Sequence, residues 1–196
     1  TYTRVFQALE EAGQSEQPVR DELAGISQRI DDLAALFDVL FAARQKRGAM
    51  EFETVETRII FDRNRKIERI DPVHRNQAHR IIEECMLCAN VSAASFLESQ
   101  KVPGLFRVHE PPVADRLSSL HDYLSQLGLY LGGGEKPTPA DFKQLADQVT
   151  DRPDFSVVQT QMLRSMQQAV YQPENLGHFG LAYEGYAHFT SPIRRY

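Results

Sequence analysis

Between Arg20 and Arg47, apolar residues recur at alternating gaps of three and four, which is the spacing of one helical face. The stripe consists of Leu23, Ile26, Ile30, Leu33, Phe37 and Leu40. Gly48 follows as a stop signal for a helix. A stripe of this kind serves as a coiled-coil seam or packs against a globular core. Leu36 and Phe41 widen it, which favours core packing.

After Met50 the pattern changes to one typical of strands. Val55, the run 59–61, Ile67 and Ile70 are β-branched or aromatic, and the polar segment 62–66 between them predicts a hairpin turn. The turn carries three basic residues. We interpret them as the solvent-exposed tip of the hairpin in preference to an RNA-binding site.

From Asp71 onward, the pattern predicts mostly helices. Asp71-Pro72 predicts the start of a second long helix that reaches about Leu97. Segment 105–109 predicts a short strand. Further helices are predicted over 112–129, from the capped start Thr138-Pro139 to about 148, and over 154–171, followed by a loop-rich run over 173–190.

Composition narrows the class of protein. The 196 residues suffice for a sizeable core, with 42% hydrophobic and 25% charged residues as in ordinary globular domains. The sequence has no apolar run of membrane-spanning length and no signal-peptide pattern, so we expect a soluble, cytoplasmic protein. The net charge of −5 argues against a broadly basic surface for nonspecific nucleic-acid binding, although a narrow basic channel is compatible with it.

Several candidate metal and nucleotide sites are disfavoured. Cys85 and Cys88 have the C-x2-C spacing of zinc and redox sites but no second pair, which favours two buried thiols. Segment 132–136 lacks the residue order of a P-loop. The spaced acids Asp147, Asp151 and Asp154 favour helix capping and loop solvation over metal binding.

The chain's final residues predict a phosphate site. Ser191-Pro192 predicts a helix start in which the serine would cap free N–H groups and the proline would take the first helical position. Arg194 and Arg195 then fall in the first turn, where two guanidinium groups and the helix N-terminus face the same space. Basic residues are unfavourable there for the helix dipole, which points to a functional reason.

These residues belong to the run 183–196, which is preceded by 173–182. Together the two segments resemble the signature of the ribonuclease II/R family of 3′-to-5′ exoribonucleases, which share the RNB catalytic domain. His188-Phe189 and the paired arginines resemble the ribonuclease R branch most. Segments 1–3, 47–53, 80–86, 105–110 and 162–166 extend the resemblance across the chain in the family's order.

The resemblance implies an α+β fold in which helices pack around a mainly antiparallel sheet. Residues 1–196 would be an RNB catalytic domain that is incomplete at both ends. It implies a processive, hydrolytic, Mg²⁺-dependent enzyme that degrades single-stranded RNA from its 3′ end to nucleoside 5′-monophosphates. The family's magnesium-binding aspartates lie upstream and have no match here, so we expect no metal ligands in this chain and no activity of the fragment alone.

The parent enzyme would also carry RNA-binding domains of the OB type. The alternative is a catalytically dead module that binds RNA or another protein.

By the same resemblance, Arg194 matches the catalytic arginine on the scissile phosphate. Arg195 matches a neighbouring basic position, for which phosphate binding and simple packing are the two alternatives. Tyr186, His188 and Ser191 flank the arginines and are expected to line the channel.

Three residues elsewhere match positions that contact substrate. Phe52 matches an aromatic that stacks on the terminal bases. Glu84, with its neighbour Glu83 as the second choice, matches a carboxylate that contacts the ribose near the cleavage point. Tyr2 matches a tyrosine near the same ribose. Pattern alone favours a core role for Phe52 and a solvated helix position for Glu84.

Overall fold

A computed structural model describes residues 2–14, 18–52, 56–73 and 75–192, with the side chains of 56 and 73 excepted. The chain forms two compact units. The first comprises Thr1–Phe41 and Phe52–Cys85, and the second comprises Ala42–Glu51 and Met86–Tyr196.

The first unit opens with three helices. Helix α1 spans Tyr2–Glu10, α2 spans Pro18–Glu22 and α3 spans Ser27–Arg47, which continues into the second unit. The single helix predicted from Arg20 is therefore interrupted over 23–26. Gly25 lies in this interruption, and glycine costs about 1 kcal/mol relative to alanine in a helix interior.

The apolar stripe is only partly core. Ile30 and Phe37 are buried, whereas Leu33 is 40% exposed and Leu36 is 44% exposed. Core packing is confirmed for the buried pair. The widening of the core face by Leu36 is not observed.

The predicted hairpin is present. Strands β1 (Glu56–Phe61) and β2 (Ile67–Val73) pair in antiparallel register, with Ile59 opposite Ile70. In the turn, Asp62 Oδ1 accepts hydrogen bonds from the backbone N–H groups of Asn64 and Lys66, each at 2.8 Å. A short aspartate side chain that binds its own turn is a common way to close such a loop.

The predicted helix start at Asp71-Pro72 is wrong. Pro72 lies in β2 opposite Thr57, and helix α4 spans Gln77–Gln100. A two-stranded sheet leaves a free edge on each strand, where a residue without an N–H is tolerated. The helix start is marked instead by Asn76, whose Oδ1 accepts a hydrogen bond from His79 N at 3.2 Å.

The second unit combines helices with a second small sheet. Strand β3 (Phe106–Val108) pairs antiparallel with β4 (Val170–Gln172). Helices α5 (Ala114–Gln126), α6 (Pro139–Val149) and α7 (Phe155–Ser165) lie between them in sequence. The buried apolar residues of these three helices are Leu117, Leu120, Leu124, Phe142, Leu145, Val149, Val158 and Met162. Burial of each such side chain typically contributes about 1.5–3 kcal/mol.

The structure contradicts one predicted helix boundary in this unit and confirms another. Helix α7 ends at Ser165, so the prediction that it continues to Tyr171 is wrong, because 170–172 is strand β4. The start of α6 is confirmed: Thr138 and Asp141 form a reciprocal capping box. The α+β class is also confirmed, with two separate antiparallel pairs in the described chain in place of one sheet.

The two cysteines and the helix lengths bear on two further expectations from the sequence. Cys85 is half-buried and Cys88 is exposed, so the expectation of two buried thiols is wrong for Cys88. Of the helices that the structure describes, none has the length and apolarity needed to cross a membrane.

Candidate functional site: the signature loop and its supports

Residues 173–192, which we call the signature loop, are attached to β3 and the residue that follows it. Arg107 N donates to Tyr186 O at 2.7 Å. His109 N donates to Gly177 O at 3.0 Å, and its carbonyl accepts from Phe179 N at 2.7 Å. These three backbone bonds hold both halves of the loop against one strand.

Within the loop, His178 organises a tight local fold. Its N–H donates to Tyr183 O at 2.8 Å, and its Nδ1 accepts from Leu181 N at 3.2 Å, which caps a 3₁₀ helix over Phe179–Leu181. Gly177 has a φ of +78°, and a Cβ there would lie 3.1 Å from Tyr183 O. Glycine is therefore required by both the conformation and the space.

A second histidine, His109, supports the loop from the position directly after β3. The rings of His109 and His178 meet edge to face with centroids 5.1 Å apart. His109 Nδ1 accepts from Gly180 N at 3.1 Å. A Cβ on Gly180 would lie 2.9 Å from that nitrogen, so this close approach also needs glycine.

Both imidazoles are held in the neutral form. Burial first, and then the neighbouring His109, lower the pKa of His178 to about 4. Burial also lowers the pKa of His109, as does the charge of Arg107, while the backbone of Gln167 acts in the opposite direction. Neutral rings keep Nδ1 free to accept hydrogen bonds from the loop backbone.

The end of the loop is held by Asn90, a completely buried residue of α4. Its Oδ1 accepts from Phe189 N at 2.9 Å, from Thr190 N at 2.9 Å and from Thr190 Oγ1 at 3.1 Å. Its Nδ2 donates to the hydroxyl of Tyr186 at 2.9 Å. We call this arrangement the Asn90 clamp.

Tyr186 was expected to line a channel, but it is only 5% exposed. Its ring lies 5.3 Å from those of His178 and His188, and its hydroxyl binds Asn90. The side chain thus supports the loop from within the second unit and does not line an open surface.

Ser191 is exposed and lies directly after the clamp. Its φ is +57°, in the left-handed region, whereas a serine N-cap ordinarily has extended backbone. Arg194 and Arg195, with the helix turn predicted to carry them, lie outside the described residues.

The remaining predicted site residues belong to the first unit. Tyr2, in α1, is 45% exposed, and its ring stacks on that of His79 at 4.3 Å. Phe52 is half-buried in irregular chain before β1. Glu84, in α4, is 3% exposed, so the expected solvated position is wrong. Tyr2 also borders a mainly apolar cavity of about 460 Å³, which is poorly suited to a ribose.

The described residues contain no group of three or more histidine, cysteine or acidic side chains placed to hold a metal ion. Two of the three acids considered in the sequence are engaged by basic side chains. Asp147 pairs with Lys143 at 2.6 Å, and Asp154 binds Arg152 through two contacts of 2.8 Å. The Arg152 guanidinium lowers the pKa of the Asp154 carboxyl. This part of the chain does not fit a Mg²⁺ cage.

Sequence reasoning missed Asn90, His109 and His178. For Asn90 a signal was available, because a polar amide among apolar residues of a helix interior is unfavourable unless it has buried partners. No spacing rule connects it with loop residues about a hundred positions later.

The fold and the loop can now be compared with known proteins. Residues 1–196 match the RNB domain family over their whole length, and the chain belongs to this family. It is 50% identical over 196 residues to ribonuclease R of Vibrio cholerae and to that of Escherichia coli K12. It spans 23% and 24% of those proteins, about a quarter of their length.

A solved structure with the same fold is Mycoplasma genitalium RNase R in complex with ribose-methylated single-stranded RNA. The TM-score is 0.84 and the identity 27%, covering 98% of this chain and 29% of that one. The predicted membership of the ribonuclease II/R family is thereby confirmed.

Proposed function

We propose that this chain is part of the catalytic domain of a processive exoribonuclease that hydrolyses RNA from the 3′ end and releases nucleoside 5′-monophosphates. The observation that carries the proposal is the family match over all 196 residues, which includes the signature loop fixed by β3 and the Asn90 clamp. The two ribonuclease R relatives and the RNA-bound structure support it.

In this proposal the chain supplies the arginine side of the active site. Arg194 contacts the scissile phosphate, where a guanidinium stabilises charge that develops in the transition state. Arg195 adds a second donor for the phosphate backbone, and Ser191 lies at the entrance to this segment. From the resemblance to the ribonuclease II/R family, we propose that the ligands of Mg²⁺ lie on polypeptide upstream of this chain. When bound, the metal would neutralise phosphate charge and activate water.

The substrate side of the site comes from the first unit. Phe52 stacks on a terminal base, an interaction that contributes about 1–3 kcal/mol and tolerates every sequence. Glu84 accepts from a ribose 2′-hydroxyl, which distinguishes RNA from DNA. Its carboxylate is buried in the described chain, so this contact requires Glu84 to become accessible in the assembled enzyme. Tyr2 is assigned to the same ribose, which it would contact at its exposed surface and not in the apolar cavity that it borders.

In this proposal the chain is inactive by itself, because it carries the arginines of the active site while the ligands of Mg²⁺ lie on another part of the domain. In the parent protein it would act with the metal-binding part of the domain and with RNA-binding domains of the OB type on the 3′ end of single-stranded RNA. A cytoplasmic location stays a prediction from the sequence.

The test uses the full-length protein that carries this chain and a single-stranded RNA labelled at its 5′ end, with and without Mg²⁺. We expect Mg²⁺-dependent shortening from the 3′ end, with nucleoside 5′-monophosphates as the released product. An RNA with a blocked 3′ end should persist. Binding without hydrolysis would mark a catalytically dead RNA-binding module, and internal cleavage or release from the 5′ end would refute the proposal.

A further inference from the structure

We infer that Asn90 is a positioning residue for the reaction: its amide sets the place of the chain that leads to Arg194. The inference rests on the proposed function, because it assigns Asn90 a role in delivering that arginine. Asn90 touches no phosphate in this account and acts through residues 189–190.

The clamp converges on one atom. Three donors meet at Asn90 Oδ1: the N–H groups of Phe189 and Thr190, each at 2.9 Å, and Thr190 Oγ1 at 3.1 Å. Phe189 N is shared with Ala187 O, also at 2.9 Å, so Thr190 supplies the two bonds that depend on the clamp alone. Two groups on one residue fix its orientation as well as its position.

The other end of the amide is also engaged. Nδ2 donates to the hydroxyl of Tyr186 at 2.9 Å, which orients the Asn90 amide so that Oδ1 faces the loop. Asn90 has no exposed surface, so water does not reach its own amide to replace a bond that is lost there. Buried groups left without partners are costly, which makes the arrangement strict.

The clamp lies at the point where the loop leaves the interior. Tyr186 and Ala187 are 5% and 3% exposed, whereas Phe189 is 68% exposed. Thr190 is the last residue held before Ser191, and Arg194 follows four residues after Thr190. A long helix, α4, thus provides a firm anchor just before the arginine. Misplacing a catalytic group by about 1 Å can cost 100-fold in rate.

A purely structural role would predict something different. If Asn90 only stabilised the fold, its replacement would lower thermal stability, and the folded fraction would keep its turnover rate. A positioning role predicts that kcat falls in the folded enzyme while RNA affinity is retained.

The first experiment measures kcat, KM and RNA affinity of the full-length enzyme with three variants. Asn90→Leu removes all the polar atoms at similar size, and Asn90→Asp keeps an acceptor oxygen while the Tyr186 hydroxyl can turn to donate. Leu124→Ala, in the core of α5, is the matched control for lost stability. We expect kcat of Asn90→Leu to fall at least about tenfold with affinity within about threefold, and Asn90→Asp to recover most of it. Leu124→Ala should lower the melting temperature and leave kcat unchanged.

The second experiment does not depend on activity. Amide hydrogen exchange at Thr190 should accelerate at least about tenfold in Asn90→Leu, because its N–H loses a buried acceptor. If the wild-type protein degrades no RNA, the proposed function fails, while this exchange rate still tests the clamp.

Two results would overturn the inference: unchanged kcat in a folded Asn90→Leu enzyme, or unchanged exchange at Thr190. If Asn90→Leu does not fold, Thr190→Val removes only the hydroxyl donor at matched size. It should lower kcat by a smaller factor than Asn90→Leu would, and wild-type turnover in this variant would count against positioning.

Discussion

Lowering the pH from 7 to 4 should loosen the signature loop, because its buried histidine is neutral in the folded chain. His178 accepts from Leu181 N through Nδ1 and is packed edge to face against His109. Burial first, and then the neighbouring charges of His109, Arg107 and His188, lower its pKa to about 4. A protonated ring would lose the acceptor that caps the 3₁₀ helix.

The size and sign of the effect follow from the two pKa values. The change from 6.5 in the unfolded chain to about 4 in the folded one corresponds to ~3 kcal/mol, at 1.36 kcal/mol per pH unit. Between these values the unfolded state binds more protons. This contribution is therefore complete above pH 6.5, is lost as the pH falls toward 4, and changes no further below that. The lowered pKa of His109 acts in the same direction.

The assay is denaturant unfolding of the chain across pH 4–7, together with hydrogen exchange of the loop. His178→Asn retains an acceptor close to Nδ1 but does not titrate, so we expect a much smaller loss of unfolding free energy over this range. His121→Asn, in α5, is the control and should keep the wild-type slope. An unchanged slope in His178→Asn would refute the reasoning.

Two further predictions concern the substrate side and the fold. Phe52→Ala in the full-length enzyme should change the length of the final RNA product, read on a sequencing gel, because the last stacked base loses its platform. The control is Tyr130→Ala, which changes an exposed aromatic outside the proposed site and should give the wild-type end product. An end product of unchanged length in Phe52→Ala would show that Phe52 does not stack on the terminal base. Thr138→Ala should lower the unfolding free energy by about 1 kcal/mol, since it breaks the capping box of α6. Ser119→Ala, at an exposed position of α5, should change the unfolding free energy little. Equal losses in the two variants would contradict a capping role for Thr138.

Features encoded by neighbouring residues were predictable from the sequence. The hairpin depends on polar turn residues such as Asp62, which binds its own turn. The start of α6 depends on Thr138 and Asp141, three positions apart. Each element is specified within a few residues, so a single sequence suffices to identify it.

Features that depend on distant partners were not predictable. Segment 170–172 continues a helical pattern but forms β4, because β3 lies more than sixty residues earlier and pairs with it. Pro72 resembles a helix start but lies opposite Thr57 in a strand. The family resemblance identified the loop and its arginines, whereas the supports of the loop, Asn90 and His109, became apparent only from the structure.

The most direct test of the central claim is to measure RNA turnover and RNA affinity together for Arg194→Ala in the full-length enzyme. Arg164→Ala, an exposed arginine of α7, serves as the matched control. Our account predicts that Arg194→Ala loses at least about 100-fold in turnover, with affinity within about threefold of the wild type, because the guanidinium acts in the transition state. A parallel collapse of affinity, or turnover like that of Arg164→Ala, would contradict it.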